Sequence, residues 1–208
     1  MKNVLVLNSS PNPKQSVSTK LTAFFQQELR AQGDYKVVTR DLGVNPPSHL
    51  TEMALSGFFN EASGHDKEQQ QALAEGLLLI SEIKQADIVI IGSAMHNHTV
   101  TSGLKAYIDQ ITRPGLTFKY MQNGPVGLLT DKLVYIITSA GGDYSSSQAK
   151  KTDFQTPLLK EVLGFIGMQN IKFIPAFNVY GGSEVAEQNQ AQARESISQA
   201  IRRLQIVA

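Results

Sequence analysis

The sequence predicts an α/β protein with a doubly wound, five-stranded parallel sheet and helices on both of its faces. Two observations lead to this prediction. Short, almost continuous aliphatic segments, typical of strands buried on both faces, alternate with segments whose apolar residues recur every three or four positions, as in amphipathic helices. Hydrophobic residues make up 41% of the 208 residues, enough for one substantial core, so we expect a single domain over residues 1–208.

The five predicted strands have two kinds of composition. The first is an aliphatic run that ends at a polar turn containing Pro11 and Pro13, and the second is rich in β-branched and aromatic residues. The predicted strands span residues 4–7, 35–39, 86–91, 133–138 and 171–175. The order 2-1-3-4-5 is the one that the fold template gives for five such strands.

Helical spacing of apolar residues predicts a helix after each strand. In the first helix, Leu21, Phe25 and Leu29 share one face, and Gly33 supplies a stop signal. The predicted helices span residues 18–32, 67–84, 101–112, 153–165 and 183–204. Residues 48–67 fit neither the strand pattern nor a clear helical one.

The composition excludes several classes of function. Lys and Arg number 19 and Asp and Glu number 18, a net charge of +1, so we predict neither a nucleic-acid nor a membrane partner. The absence of cysteine excludes disulfides, thiolate metal sites and cysteine nucleophiles. The apolar runs are too short for a signal peptide or a membrane span, and we expect a soluble cytoplasmic protein.

The loop after the first strand is rich in hydroxyl and amide side chains. Ser16 or Ser18 can cap the next helix, whose first turn offers free N–H groups and a partial positive charge to a phosphate. A plain polar loop with a capping serine explains the residues equally well, but the position after the first parallel strand favours phosphate. The Gly-Lys-Ser/Thr of a Walker loop, the Gly-x-Gly-x-x-Gly of a dinucleotide site and the acidic residues of a receiver domain are absent.

The loop after the third strand, residues 92–98, is the second candidate segment. Met95 offers a soft apolar contact to a flat ring, and Asn97 can both donate and accept hydrogen bonds. His96 and His98 form a His-x-His pair, but no third ligand follows at a suitable spacing, so we predict no metal site.

Paired glycines end the fourth strand. Gly141 and Gly142 allow a ligand to approach the backbone closely, and their N–H groups can stabilise negative charge, although a flexible turn would also explain them. Phe118 and Tyr120 alternate and therefore point the same way in an extended segment, either into the core or toward a flat substrate.

One further pair of charged residues has helical spacing. Asp109 and Arg113 are four residues apart at the end of the third predicted helix and its continuation. At this spacing two side chains are neighbours on a helix surface. The pattern therefore predicts a surface ion pair.

Taken together, these segments resemble the FMN-dependent NADH azoreductases, which are also quinone reductases, within the flavodoxin-like superfamily. The order and spacing of five motifs carry the resemblance: Met95-His96-Asn97, Leu104-Lys105 and residues 113–120, 124–129 and 163–167. The resemblance implies a flavodoxin-like fold and an FMN-dependent NAD(P)H oxidoreductase. In such an enzyme NADH or NADPH reduces the flavin and leaves before a quinone or an azo compound takes the electrons, a ping-pong sequence.

The resemblance also implies site residues, position by position. The FMN phosphate would lie against Ser10, Ser16, Val17 and Ser18. The isoalloxazine would lie against Met95, His96, Asn97, His98, Ser139, Ala140, Gly141 and Gly142. Phe118 would help form a substrate wall, and we place Tyr120 and Tyr144 in the same pocket. We name no catalytic acid or base, and the implied assembly is a homodimer with each active site at the subunit interface.

The sequence departs from the family pattern at five positions. Relatives commonly have Pro, Tyr, Phe, Arg and His where this chain has Ala94, His96, His98, Ala140 and Tyr144. Backbone contacts should survive these changes, whereas the histidines make the pocket more polar and potentially pH-sensitive. Two alternatives stay open: an electron carrier like flavodoxin, although such carriers tend to be acidic, and a non-catalytic flavin-binding protein.

Overall fold

The computed structural model describes residues 1–59 and 64–206. The strands in this part of the chain are β1 Lys2–Asn8, β2 Tyr35–Asp41, β3 Ile88–Ala94, β4 Phe118–Met121, β5 Gly124–Gly127, β6 Leu133–Ser139 and β7 Asn170–Ala176. The α-helices are α1 Val17–Gln32, α2 Glu52–Gly57, α3 Lys67–Gln85, α4 Ser102–Ile111, α5 Gln155–Phe165 and α6 Ser183–Ile206. A short 3₁₀ helix spans Ala149–Thr152.

Five strands form one parallel sheet in the order β2-β1-β3-β6-β7. When only the parallel strands are numbered along the chain, this order is the predicted 2-1-3-4-5. The predicted fold class is therefore confirmed. The direction of the connections reverses between β1 and β3, because the chain builds β2 on one side of β1 and every later parallel strand on the other. In such a sheet the ligand site is expected beyond the carboxyl ends of the strands at this reversal.

The core consists of two apolar layers, one on each face of the sheet. Leu5 and Leu7 of β1 belong to the layer that contains side chains of α3, α4 and α5. Val4 and Val6 belong to the other layer, which contains side chains of α1 and α6. Because both faces are covered, consecutive residues of the strand are all apolar, and this is the origin of the run seen in the sequence.

The third strand lies later in the chain than predicted. It begins at Ile88 and continues through Ala94, because Gly92, Ser93 and Ala94 pair in register with the last residues of β6. The placement of these three residues in a loop was therefore wrong. A side chain at Gly92 would collide with α1, since a Cβ there would lie 2.8 Å from Thr22 Cγ2.

The helix α2 and the hairpin formed by β4 and β5 had no counterpart in the prediction. The segment that fitted neither pattern contains α2, which Thr51 caps by accepting a hydrogen bond from the N–H of Ala54. The strands β4 and β5 form a separate antiparallel hairpin. No helix in residues 1–59 and 64–206 combines the length and apolar character that crossing a bilayer requires.

The predicted ion pair between Asp109 and Arg113 is wrong. The carboxylate of Asp109 instead accepts from Lys105 Nζ at 2.6 and 2.8 Å. Arg113 as a whole is 5% exposed, its guanidinium carbon lies 4.9 Å from the centre of the Phe58 ring, and burial lowers its pKa. The helix ends at Ile111, so the helical spacing does not extend to residue 113.

Candidate active site

The loops at the carboxyl ends of β1, β3, β6 and β7 enclose a cleft of about 210 Å³. Eight predicted site residues line it: Ser10, Ser16, Val17, Met95, His96, Ser139, Ala140 and Gly141. The other lining residues are Pro11, Asn12, Gln15, Ala94, Val179 and Tyr180. These side chains carry no formal charge when histidine is neutral. Hydrogen-bond donors and local dipoles are therefore what this surface offers a ligand.

The amino-terminal end of α1 lines the cleft through Ser16 and Val17. Ser16 caps the helix, and its Oγ accepts the N–H of Thr19 at 3.2 Å and lies 3.0 Å from Ser18 Oγ. The N–H groups of Val17 and Ser18 precede the first intrahelical bond and stay available to an acceptor. The side chain of Ser18 is fully buried, so its hydroxyl lies behind the wall of the cleft.

A tight turn follows β3. His96 and Thr99 exchange two main-chain hydrogen bonds of 2.9 Å, and the residues between them have positive φ angles, 48° for Asn97 and 67° for His98. Positive φ at both central residues defines a type I′ turn, which suits asparagine better than histidine. Asn97 and His98 are therefore exposed at the tip of the turn, and neither lines the cleft.

Only part of the turn's backbone is free to bind a ligand. The N–H of Met95 donates to the carbonyl of Ser139 at 2.7 Å, and that of His96 donates to Thr99. The N–H groups of Asn97 and His98 lie outside these bonds. If the backbone of this loop meets a heterocycle edge, the central residues of the turn must supply the donors.

Residues at the start of α5 hold the loop after β3 in place through hydrogen bonds. The N–H of Phe154 donates to the carbonyl of His98 at 2.9 Å. The fully buried side chain of Gln155 donates from Nε2 to the carbonyl and to Oγ of Ser93, at 3.1 and 2.9 Å. Sequence reasoning missed both residues, because they follow Ser93 by more than 60 positions and have no motif of their own.

The loop after β7 forms a further wall that sequence reasoning missed. The N–H of Val179 donates to Ala140 O at 3.2 Å, and that of Asn178 donates to Gly142 O at 2.8 Å. These bonds hold Tyr180 beside Gly141. The available signal was topological, since ligand-binding loops lie at the carboxyl ends of strands and this loop follows the fifth one.

The structure does not bring the three predicted substrate-pocket residues into this cleft. Phe118 is 5% exposed and packs against Phe165, with ring centres 4.6 Å apart. Tyr120 points the same way as Phe118, as predicted, but is 70% exposed. Tyr144 lies beside the cleft, where its hydroxyl is 3.0 Å from His98 Nδ1.

Comparison with known proteins identifies the family. The family model described as flavodoxin-like fold matches residues 2–201. The FMN-dependent NADH:quinone oxidoreductase of Herminiimonas arsenicoxydans is 40% identical over 200 residues, which cover 96% of this chain and 98% of that protein. The chain belongs to the flavodoxin-like family of NADH:quinone oxidoreductases. The predicted family is thereby confirmed.

A second curated relative and a solved structure are also similar to this chain over most of its length. The FMN-dependent NADH:quinone oxidoreductase of Hyphomonas neptunium is 43% identical over 185 residues, 88% of each chain. The crystal structure of an azoreductase from Bacillus anthracis superposes with a TM-score of 0.90 at 27% identity and covers 98% of this chain and 100% of that one. The flavodoxin-like fold extends over nearly the whole of this family member.

The residues of this oxidoreductase-family chain fit a phosphorylated, flat cofactor. Within the described residues, the buried hydroxyls of Ser9 and Thr19 have no hydrogen-bond partner, but neither residue lines the cleft. The hydroxyls that line it near the start of α1 are those of Ser10 and Ser16. A helix amino terminus with spare hydroxyl groups is a suitable site for a phosphate dianion. In the same lining, Met95 and Gly141 offer an apolar contact and a bare backbone. We regard this donor set as matching FMN.

The His-x-His pair lacks the surroundings of a metal centre. Residues 1–59 and 64–206 contain no group of three or more His, Cys, Asp or Glu side chains that could hold a metal ion. The Nδ1 atom of His98 instead lies within hydrogen-bond distance of Tyr144. The two histidines are better understood as part of the rim of the cleft.

Proposed function

We propose that this chain is an FMN-dependent NAD(P)H:quinone oxidoreductase that also cleaves aromatic azo compounds reductively. One observation carries the proposal: an uncharged cleft at the reversal of the sheet is lined both by the amino terminus of α1 and by Met95 and Gly141. The names of the relatives, FMN-dependent NADH:quinone oxidoreductases, and the azoreductase structure support the same function.

The cofactor would lie along the cleft. Its phosphate would accept hydrogen bonds from the N–H groups of Val17 and Ser18 and from hydroxyls of the loop after β1, including Ser10 and Ser16. Its ring system would lie between the loops after β3 and β6, which contain residues 95–98 and 139–142. When bound there, FMN would supply two-electron redox chemistry between NADH or NADPH and the substrate, with one nucleotide oxidised for each quinone reduced to hydroquinone and two for each azo bond cleaved to amines.

The polypeptide contributes placement and electrostatics. Gly141 and Gly142 have main-chain N–H groups without an acceptor in the described residues, and these can stabilise negative charge at the edge of a ring. Gln155 and Phe154 keep the loop after β3 in position. His98 and Tyr144 form a polar rim at which a quinone oxygen could find a donor.

A homodimer in the cytoplasm is part of the proposal. The hairpin exposes Tyr120, Met121 and Val126, and such an apolar surface is typical of an interaction site. Because Phe118 is covered by its own subunit, Tyr120 is the aromatic residue of this hairpin that is free to reach a partner's cleft. Light scattering should give twice the chain mass, and Met121→Glu should shift it toward the monomer. A monomeric wild-type protein at micromolar concentration would contradict the dimer.

Steady-state kinetics test the function. The FMN-loaded protein should oxidise NADH or NADPH with benzoquinone as acceptor, and double-reciprocal plots at several quinone concentrations should be parallel, as a ping-pong sequence requires. Decolorisation of an azo dye with the same nucleotide checks the second activity. A protein that binds FMN but is not reduced by either nucleotide would instead be a carrier or a binding protein.

A further inference from the structure

We propose that Tyr180 contacts the bound cofactor, as an aromatic cover contributed by the loop after β7. The inference rests on the proposed function and adds a residue outside the three loops from which the site was predicted. Its basis is the position of the ring: Tyr180 lines the same cleft as Ser16, Met95 and Gly141.

The backbone around Tyr180 is fixed to the loop after β6. The N–H of Ala140 donates to Ala176 O at 3.3 Å, and the N–H of Val179 donates back to Ala140 O at 3.2 Å. A third bond of 2.8 Å joins Asn178 N to Gly142 O, and Asn178 adopts a positive φ of 56° that turns the chain. Pairing on both sides of Gly141 therefore places Tyr180 against that glycine.

The ring of Tyr180 occupies space that a side chain at position 141 would need. A Cβ on Gly141 would lie 2.5, 3.0 and 3.6 Å from three atoms of the ring, Cδ2, Cε2 and Cγ. The ring therefore rests directly on the glycine backbone. The other side of Tyr180 is open, and the residue is 88% exposed. A large aromatic ring that lies against a glycine backbone at a cleft and is otherwise exposed is suited to contact a flat or apolar ligand.

The chemistry of the ring indicates which part of FMN it contacts. The phosphate end of the cleft already has a helix amino terminus and hydroxyl donors, whereas an aromatic face adds apolar contact. We therefore assign Tyr180 to the isoalloxazine and ribityl portion, which riboflavin shares with FMN. The ring and not the hydroxyl should carry the effect.

Titration of the apoprotein with FMN and with riboflavin, followed by flavin fluorescence, tests this assignment. Tyr180→Ala should weaken both ligands about tenfold, and Tyr180→Phe should bind both as the wild type does. Gly182→Ala is the matched control in the same loop, because among the described residues no atom outside its chain neighbours lies within 4 Å of the added Cβ. A loss confined to FMN, or affinities of Tyr180→Ala within twofold of wild type, would overturn the inference.

A double-variant experiment tests the contact with Gly141. Gly141→Ala should displace the ring and weaken FMN binding, so adding Tyr180→Ala should cause little further loss. Independent, additive losses would show that the contribution of Tyr180 to binding does not depend on its contact with Gly141. These outcomes are separable from the proposed function, since a wild-type protein that bound no FMN would refute the function itself, whereas a normal wild type with an unaffected Tyr180→Ala would refute only this contact.

Discussion

Gln155 offers the most direct perturbation of the loop after β3 that leaves the cleft surface intact. Its side chain is fully buried, and Nε2 donates to the carbonyl and hydroxyl of Ser93, two residues before Met95. Its Oε1 atom has no partner in the described residues. Gln155→Leu keeps the size of the side chain and removes the polar atoms. Gln155→Glu keeps the shape but replaces the donor by a carboxylate oxygen.

The structure sets the expected magnitudes. Gln155→Leu loses two hydrogen bonds of about 1 kcal/mol each and removes one unsatisfied oxygen, so the free energy of unfolding should fall by about 1 kcal/mol. Gln155→Glu directs a buried carboxylate at the Ser93 carbonyl and should cost about 3–5 kcal/mol at neutral pH. Burial would raise the pKa of the new carboxyl above its value in the unfolded chain. Its penalty should therefore be small at acidic pH and grow as the pH rises.

Urea unfolding of the apoprotein measures both effects, and flavin titration measures the consequence at the site. We expect FMN affinity to fall about fivefold in Gln155→Leu, because the loop loses part of its support. Gln71→Leu, an exposed position on α3, is the control. The account is refuted if Gln155→Glu is as stable as wild type at neutral pH, or if Gln155→Leu alters neither stability nor FMN affinity.

Three other variants test separate parts of the structure. Ser16→Ala removes the cap of α1, and urea unfolding should show the free energy of unfolding lowered by about 1 kcal/mol. Titrations should show that FMN binding is weakened more than riboflavin binding, and equal weakening would contradict a phosphate site. Tyr107→Phe deletes a buried hydroxyl that has no partner in the described residues, and burial raises the pKa of Tyr107 far above its usual range. Urea unfolding should show the free energy of unfolding raised by about 1 kcal/mol, and a lower value than that of the wild type would contradict this. His98→Phe breaks the contact with Tyr144 and should change the KM for quinone about threefold, while the affinity for FMN stays unaltered. An unchanged KM would argue against a role of the polar rim in substrate binding.

The parallel sheet could be predicted because its physical cause is visible in the sequence. Both faces of β1 are covered by helices, so Val4, Leu5, Val6 and Leu7 are all apolar and form an uninterrupted run. The hairpin has no such signature. Its strands contain four residues each, only Phe118 is buried, and the alternation of Phe118 with Tyr120 is too short to distinguish a strand from an extended loop.

Some features of the candidate site could likewise be predicted from the sequence, and others could not. Ser16, Met95 and Gly141 could be placed in one cleft because the carboxyl ends of parallel strands meet at one edge of the sheet. The hydrogen bonds from Gln155 to Ser93 could not be predicted, because they join two buried residues that are 62 positions apart in the sequence. Side-chain direction was equally hidden: Phe118 turns to the core, and the turn after β3 removes His98 from the cleft.

Anaerobic half-reactions test the central claim most directly. NADH or NADPH added to the FMN-loaded protein should bleach the visible absorption of the flavin before any acceptor is present. Benzoquinone added after removal of the nucleotide should restore the absorption in a separate step. Failure of the chain to bind FMN, or a bound flavin that neither nucleotide bleaches, would contradict the proposed oxidoreductase.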